Sequence, residues 1–269
     1  MKEFINLKGT YVENDLHRKW ESVYRQNPIQ DIFNDKIMDR ILKYISPEPN
    51  ALILDAGCGA AYHSVGMVKR GYQCVGVDIS ENVLKEGSEI ILKHGFKSKM
   101  SFVCQDLEDL SFKDEVFDVV YCRGVLMHIP DWEKALYNLC RVLRPNGKIV
   151  IVESNCNSFE ALMVLLVRKI TKRKSKLIKS KEGLEFWSER NGAPFLVRTA
   201  NIKYLINQLK NQQINDIKRF STEFWDINRF PPGKVRNMVI RYNKLCFSLR
   251  LPPYFSSGNG IIGEKRNAN

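Results

Sequence analysis

A chain of 269 residues with 44% hydrophobic and 27% charged side chains holds enough apolar material for a sizeable core, which excludes a disordered or low-complexity chain. Bases number 42 against 30 acids (net +12), and the excess is unevenly placed: residues 1–158 hold 20 and 22 (net −2), residues 159–269 hold 22 and 8 (net +14). Any acidic partner is therefore expected to meet the second half.

Residues 12–46 read as two helices, with Pro47 and Pro49 marking the hinge between them and the first strand. From Ala51 to Asn155 short β-branched runs alternate with helix-period segments, the pattern of parallel strands joined by helical crossovers. The strands fall at 51–55, 74–78, 101–106, 117–122 and 148–153. Near-continuous apolar character in four of them implies burial on both faces. Ser80 and Asp131 stand as helix N-caps, Gly95 ends the helix after Ser80, and Pro145-Asn-Gly147 turns into the fifth strand. Residues 158–181 read as a helical segment with Phe159, Leu162, Met163, Leu166 and Ile170 on one face, trailing into eight bases between Arg168 and Lys181. A helix at 201–211, a β-type run at 214–225, a helix after Pro231-Pro232 and a short strand at 260–263 complete the chain. The fold class is α/β, a Rossmann-like doubly wound sheet. We divide the single domain into N-terminal helices or lid (1–48), a cofactor-binding core (49–155), a helical cap (156–200) and a C-terminal completion of the sheet (201–269).

In an open parallel sheet, ligands bind at the carboxyl ends of the strands. The first strand ends in Asp55-Ala-Gly57-Cys58-Gly59-Ala-Ala-Tyr62, a glycine turn feeding a helix. A dinucleotide fingerprint would need glycine where Tyr62 stands, and Asp55 before the turn repels a pyrophosphate but favours a cationic ligand. Asp78, about twenty residues on, can accept both hydroxyl protons of a ribose. Gln105-Asp106-Leu107 places a third carboxylate where an adenine amine can donate, and Ile79 and Leu107 can sandwich the ring. Three such carboxylates repel one another unless a ligand with donors and positive charge lies between them.

Asp55-Ala-Gly-Cys-Gly, Val75-Gly-Val-Asp78, Asp106-Leu-Glu-Asp-Leu, Phe117-Asp-Val-Val-Tyr and Arg141-Val-Leu-Arg-Pro-Asn-Gly-Lys-Ile are similar to the successive motifs of class I S-adenosylmethionine-dependent methyltransferases, over roughly residues 45–155. The resemblance implies S-adenosylmethionine as cofactor and a mostly parallel seven-stranded sheet whose last strand is antiparallel. It places Asp55, Gly57, Cys58, Gly59, Asp78, Ile79, Asp106, Leu107, Cys122 and Arg123 at the cofactor, with small buried hydrophobes as the alternative reading of the cysteines, Cys122 included. Trp20 and Tyr24, four apart on the first helix, are a candidate lid over the cofactor, with the helix's packing face as the alternative. Ala61 departs from the family, which often has a third glycine there, at some loss of backbone freedom. His128, in the family's acceptor region, is the candidate catalytic base, its ordinary pKa near 6.5 suiting neutral pH; a structural histidine is the alternative. Glu153 and Asn155 are further candidates for the acceptor wall. His17, His63 and His94 read as surface or packing residues.

Seven cysteines, none closer than sixteen residues to the next, exclude a CxxC zinc or redox motif, and no metal is expected. Met1-Lys-Glu-Phe4 leads into no long apolar region, and the longest apolar run, Ala161–Val167, is too short for a transmembrane segment. The expected setting is the reducing cytoplasm. The function expected is methyl transfer to oxygen or nitrogen of a small-molecule acceptor, favoured as anionic. An RNA methyltransferase and a non-catalytic cofactor-binding protein are the rivals, but nucleic acid is not expected because no RNA-binding module is visible. The basic stretch 168–181 admits three readings: a solvated connector, a clamp for an anionic acceptor, or, with 159–170, a peripheral membrane contact.

Overall fold

Asn27 accepts a hydrogen bond from the Ile29 N–H and Pro28 fills the first position of helix α1 (Pro28–Ile45), a position where its missing N–H costs nothing. The computed structural model describes residues 8–12, 17, 20, 23, 27–171, 176–190 and 192–267. After α1 come β1 (Leu52–Ala56), α2 (Tyr62–Lys69), β2 (Gln73–Asp78), α3 (Glu81–Lys93), β3 (Met100–Cys104), β4 (Phe117–Arg123), α4 (Trp132–Val142) and β5 (Leu143–Ser154). The chain continues with α5 (Phe159–Thr171), β6 (Lys176–Ser180), β7 (Gly183–Arg190), β8 (Ala193–Ala200), α6 (Ile202–Asn211), β9 (Ile214–Ser221), α7 (Lys234–Ser248) and β10 (Gly258–Lys265).

Seven strands form one sheet in the order β3-β2-β1-β4-β5-β10-β9. All run parallel except β10, which is antiparallel to both neighbours, as expected. Successive residues of a strand face opposite sides, so strands buried on both faces read as unbroken apolar runs. Ile53, Val119 and Val150 pack under α1, α2, α3 and α7, while Leu54, Val120 and Ile149 pack under α4 and α6. The order reverses between β1 and β4, and the crevice at their carboxyl ends is where a ligand site belongs.

The expected helical cap is corrected. Helix α5 ends at Thr171, and β6, β7 and β8 make a separate three-stranded antiparallel sheet. Continuing the helix to Lys181 would stack like charges three and four residues apart, whereas pairing sets Lys176 opposite Trp187 and Lys179 opposite Leu184. Buried Arg198 of β8 ties this sheet to the core. It ion-pairs with Glu185 (2.7 Å) and donates to the carbonyls of Leu126 (3.2 Å), Ile129 (2.9 Å) and Pro130 (3.4 Å). The loop after β4 is thereby held by a residue some seventy positions away.

Candidate functional site

The carboxyl ends of the core strands open into a cavity of about 460 Å³. Its floor is the turn after β1, where Gly57, Gly59 and Ala61 all hold positive φ (72°, 53° and 62°). A Cβ on Gly57 would lie 2.3 Å from a methyl of Val125, and Gly59 faces open space, so side-chain-free backbone forms a cradle there. Ala61 takes the left-handed conformation without being glycine, the backbone cost that the sequence implied.

Of the predicted cofactor residues, Gly57, Cys58, Gly59, Asp78, Ile79, Asp106, Leu107 and Arg123 line this one cavity. Asp78 accepts from the N–H groups of Gly59 (2.9 Å) and Ser80 (3.0 Å), which fixes its carboxylate and leaves it lone pairs for hydroxyl donors. Asp106 accepts from the Glu108 N–H (2.9 Å) and is paired with Lys8, which also reaches Glu108. Two of the predicted residues lie elsewhere. Asp55 is buried behind the turn, accepting from the Ser64 hydroxyl (2.5 Å), and does not line the cavity. Cys122 is likewise excluded: strand alternation turns it away from Tyr121's face into the core under α4, where burial drives its thiol pKa well up. Tyr24 lies outside the described residues. Its expected companion Trp20 does line the cavity and stacks on His128, with ring centroids 5.1 Å apart.

His128 also lines the cavity, but not as the near-neutral base expected. Burial lowers its pKa to about 4. Its Nδ1 lies 2.9 Å from the Leu196 carbonyl, which can only accept, so Nδ1 carries the proton and Nε2 the lone pair. The ring is packed by Trp20, Tyr11 and Phe195. Tyr11 donates to the same Leu196 carbonyl (2.6 Å), joining the N-terminal segment, the loop after β4 and the second sheet at one atom. His17 and His63, read as surface or packing residues, both line the cavity, whereas His94 is exposed.

Beyond the strand-end residues, the lining takes in a second set: Gln30 and Asn34 of α1, His63 of α2, and Glu223, Asp226 and Asn228 after β9. Gln30 is 2% exposed and its Oε1 has no partner among the described residues. Burial beside Asp226 raises the Glu223 pKa to about 8, with Arg123 opposing the rise. Glu153 at the end of β5 accepts from the N–H groups of Val125 (3.2 Å) and Leu126 (3.0 Å), its Oε2 has no partner among the described residues, and burial lifts its pKa to about 7. The other acceptor-wall candidate, Asn155, is buried away from the cavity, with its amide on the Tyr254 and Ser256 carbonyls. The strand expected at 214–225 overran the real strand end at Ser221 and so hid Glu223 and Asp226; the strand-end rule applied there would have found them. Of the bases in residues 159–269, only Arg190 lines the cavity among the described residues.

Residues 54–151 match the family model described as a methyltransferase domain. An uncharacterised protein of Methanocaldococcus jannaschii is 32% identical over 151 residues, covering 54% of this chain and 61% of that protein. A ubiquinone biosynthesis O-methyltransferase of Coxiella burnetii is 30% identical over 131 residues, covering 47% and 54%. The chain thus spans less than two thirds of the length of these curated relatives. A Methanosarcina mazei structure titled as an S-adenosylmethionine-dependent methyltransferase superposes with a TM-score of 0.58 at 21% identity, over 85% of this chain and 98% of that one.

Proposed function

We propose that the chain, whose residues 54–151 match a methyltransferase domain model, transfers a methyl group from S-adenosylmethionine to an oxygen or nitrogen of a small-molecule acceptor. The observation that carries this reading is that one cavity is lined both by strand-end carboxylates with a glycine cradle and by a separate set of hydrogen-bonding groups from other segments. The donor set fits the cofactor: Gly57 and Gly59 give close backbone approach, Asp78 suits ribose hydroxyls, and Asp106 between Ile79 and Leu107 suits an adenine amine. Lys8 shares Asp106 with that contact, since the carboxylate keeps lone pairs beyond those used by Lys8 and the Glu108 N–H. When bound, the cofactor supplies a methyl group already activated on a sulfonium, so what is asked of the protein is chiefly positioning.

Gln30, Asn34, His63, Glu223 and Asp226 orient the acceptor. His128, neutral at pH 7, offers its Nε2 lone pair to an acceptor proton but holds that proton weakly. The acidic side chain of Asp226, beside a Glu223 that burial keeps protonated near neutral pH, favours an acceptor that brings hydroxyl or amine donors over the anionic one first expected. No described helix is long and apolar enough to cross a membrane, and the cysteines are free; we place the chain on the reducing side. Incubating the protein with labelled S-adenosylmethionine and cell extract should yield a methylated small molecule by mass spectrometry. By calorimetry Asp78→Ala should bind the cofactor ~10-fold or more weakly, the worth of hydrogen bonds to a charged group. Cofactor binding with no transfer across extracts and a broad acceptor panel would replace the reading with a non-catalytic binding protein.

A further inference from the structure

Helix α5 is amphipathic in the wrong direction for a packing helix. Phe159, Leu162, Met163, Leu166, Val167 and Ile170 share one face, and each is between 43% and 71% exposed. Only Glu160 and Ala161 of this helix are buried. The exposure is not the result of a loose attachment. Ser158 caps the helix through the Ala161 N–H (3.0 Å), and the buried Glu160 carboxylate accepts from the Asp226 N–H (3.1 Å), Arg229 (2.5 Å) and the Ser257 hydroxyl. Phe255, itself 53% exposed, stacks on Phe159 at 4.9 Å and widens the apolar face. A contiguous apolar surface of this kind marks a contact site.

The charge beside that face says what covers it. From Arg168 to Lys181 the sequence carries eight bases and no acid. Lys169, Lys176 and Lys179 are exposed, and among the described bases of residues 159–269 only Arg190 reaches the cavity. A purely apolar partner would leave the bases without counter-charge, and a soluble anion would leave the apolar side chains in water. An acidic lipid surface satisfies both, taking the apolar face to the depth of the acyl boundary and the bases at the headgroups. We infer that the apolar face of α5, together with the exposed Lys169, Lys176 and Lys179, docks the protein onto the anionic surface of a lipid bilayer.

The test is cosedimentation of the full chain with phosphatidylcholine vesicles, with and without about a third phosphatidylglycerol, at roughly 50 mM and 500 mM salt. The protein should pellet with the anionic vesicles at low salt and at least ~10-fold less with the neutral ones. Leu166→Glu/Ile170→Glu should lose binding at least ~10-fold with an unchanged thermal midpoint and unchanged cofactor affinity; Leu166→Ser/Ile170→Ser serves if the glutamates disturb folding. Lys169→Glu/Lys176→Glu should weaken binding by about fivefold per base and flatten its salt dependence. Failure to pellet at low salt would overturn the inference, as would binding indifferent to the Leu166/Ile170 changes. So would a concentration-dependent dimer dissolved by those same changes, which would show that a second copy covers the face.

Discussion

The two walls of the cavity are built on different plans. The cofactor wall is drawn from the consecutive turns after β1, β2, β3 and β4, so each residue comes directly after a strand whose end is marked in the local pattern. The second wall gathers Gln30, His63, Phe195, Glu223 and Asn228 from segments spread over about two hundred residues, held by side chains from still other places. The first kind of wall tolerates change around it because the parallel sheet aligns its strand ends. The second depends on a few long-range ties, with Arg198 and the Leu196 carbonyl foremost.

Breaking the strongest tie should separate the two plans most clearly. Arg198→Ala leaves Glu185 and three carbonyls without their donor at a buried site, and should cost about 3–5 kcal/mol in urea unfolding. Any folded fraction should keep cofactor binding by calorimetry better than it keeps turnover. On the cofactor wall, Gly57→Ala forces a Cβ to 2.3 Å from Val125 at φ 72°. It should cost ~2–4 kcal/mol and weaken cofactor binding, with Val125→Ala restoring part of the loss.

The buried groups should give stability opposite pH limbs. His128, lowered to about 4 from its ordinary 6.5, contributes stability that is present above pH 6.5 and lost as pH falls toward 4. Glu153, raised to about 7 from 4.5, contributes stability that is present below pH 4.5 and lost as pH rises through 7, and Glu223 adds to the same limb. His128 and Glu153 are each worth about 3 kcal/mol, at about 1.4 kcal/mol per pH unit, and Glu223 enlarges the second limb. Denaturant midpoints of His128→Gln should be flatter than the parent's between pH 6.5 and 4, and those of Glu153→Gln flatter between pH 5 and 8. Parallel slopes for parent and variant would show that the group does not titrate between the folded and unfolded states as described. The smallest effect belongs to Ala61→Gly. Relief of the left-handed backbone is partly offset by glycine's greater unfolded-state freedom, leaving a change within about 1 kcal/mol in thermal melts.

The strands and strand-end residues Gly57, Asp78 and Asp106 were legible because a strand buried on both faces prints an unbroken apolar run, and its last polar residue is the one the sheet delivers to the crevice. Cys122 was misplaced for want of a parity count along β4, which separates it from Tyr121's face. The antiparallel second sheet was not legible at all, since its pairing of Lys176 with Trp187 depends on a partner strand and not on period. His128 could be picked out by position, but its proton affinity belongs to Trp20, Tyr11, Phe195 and the Leu196 carbonyl, which only folding brings to it.

Helix α5 marks the same boundary. Its period told which residues share a face, because 3.6 residues per turn is a local property of the backbone. Which way that face points was decided by the buried anchor of Glu160 on Asp226, Arg229 and Ser257, contacts 66 to 97 residues away. Composition alone counted the surplus positive charge of the second half; tertiary structure decided that, among the described residues, that half brings Arg190 as its one base to the cavity and Glu223 and Asp226 as its acids.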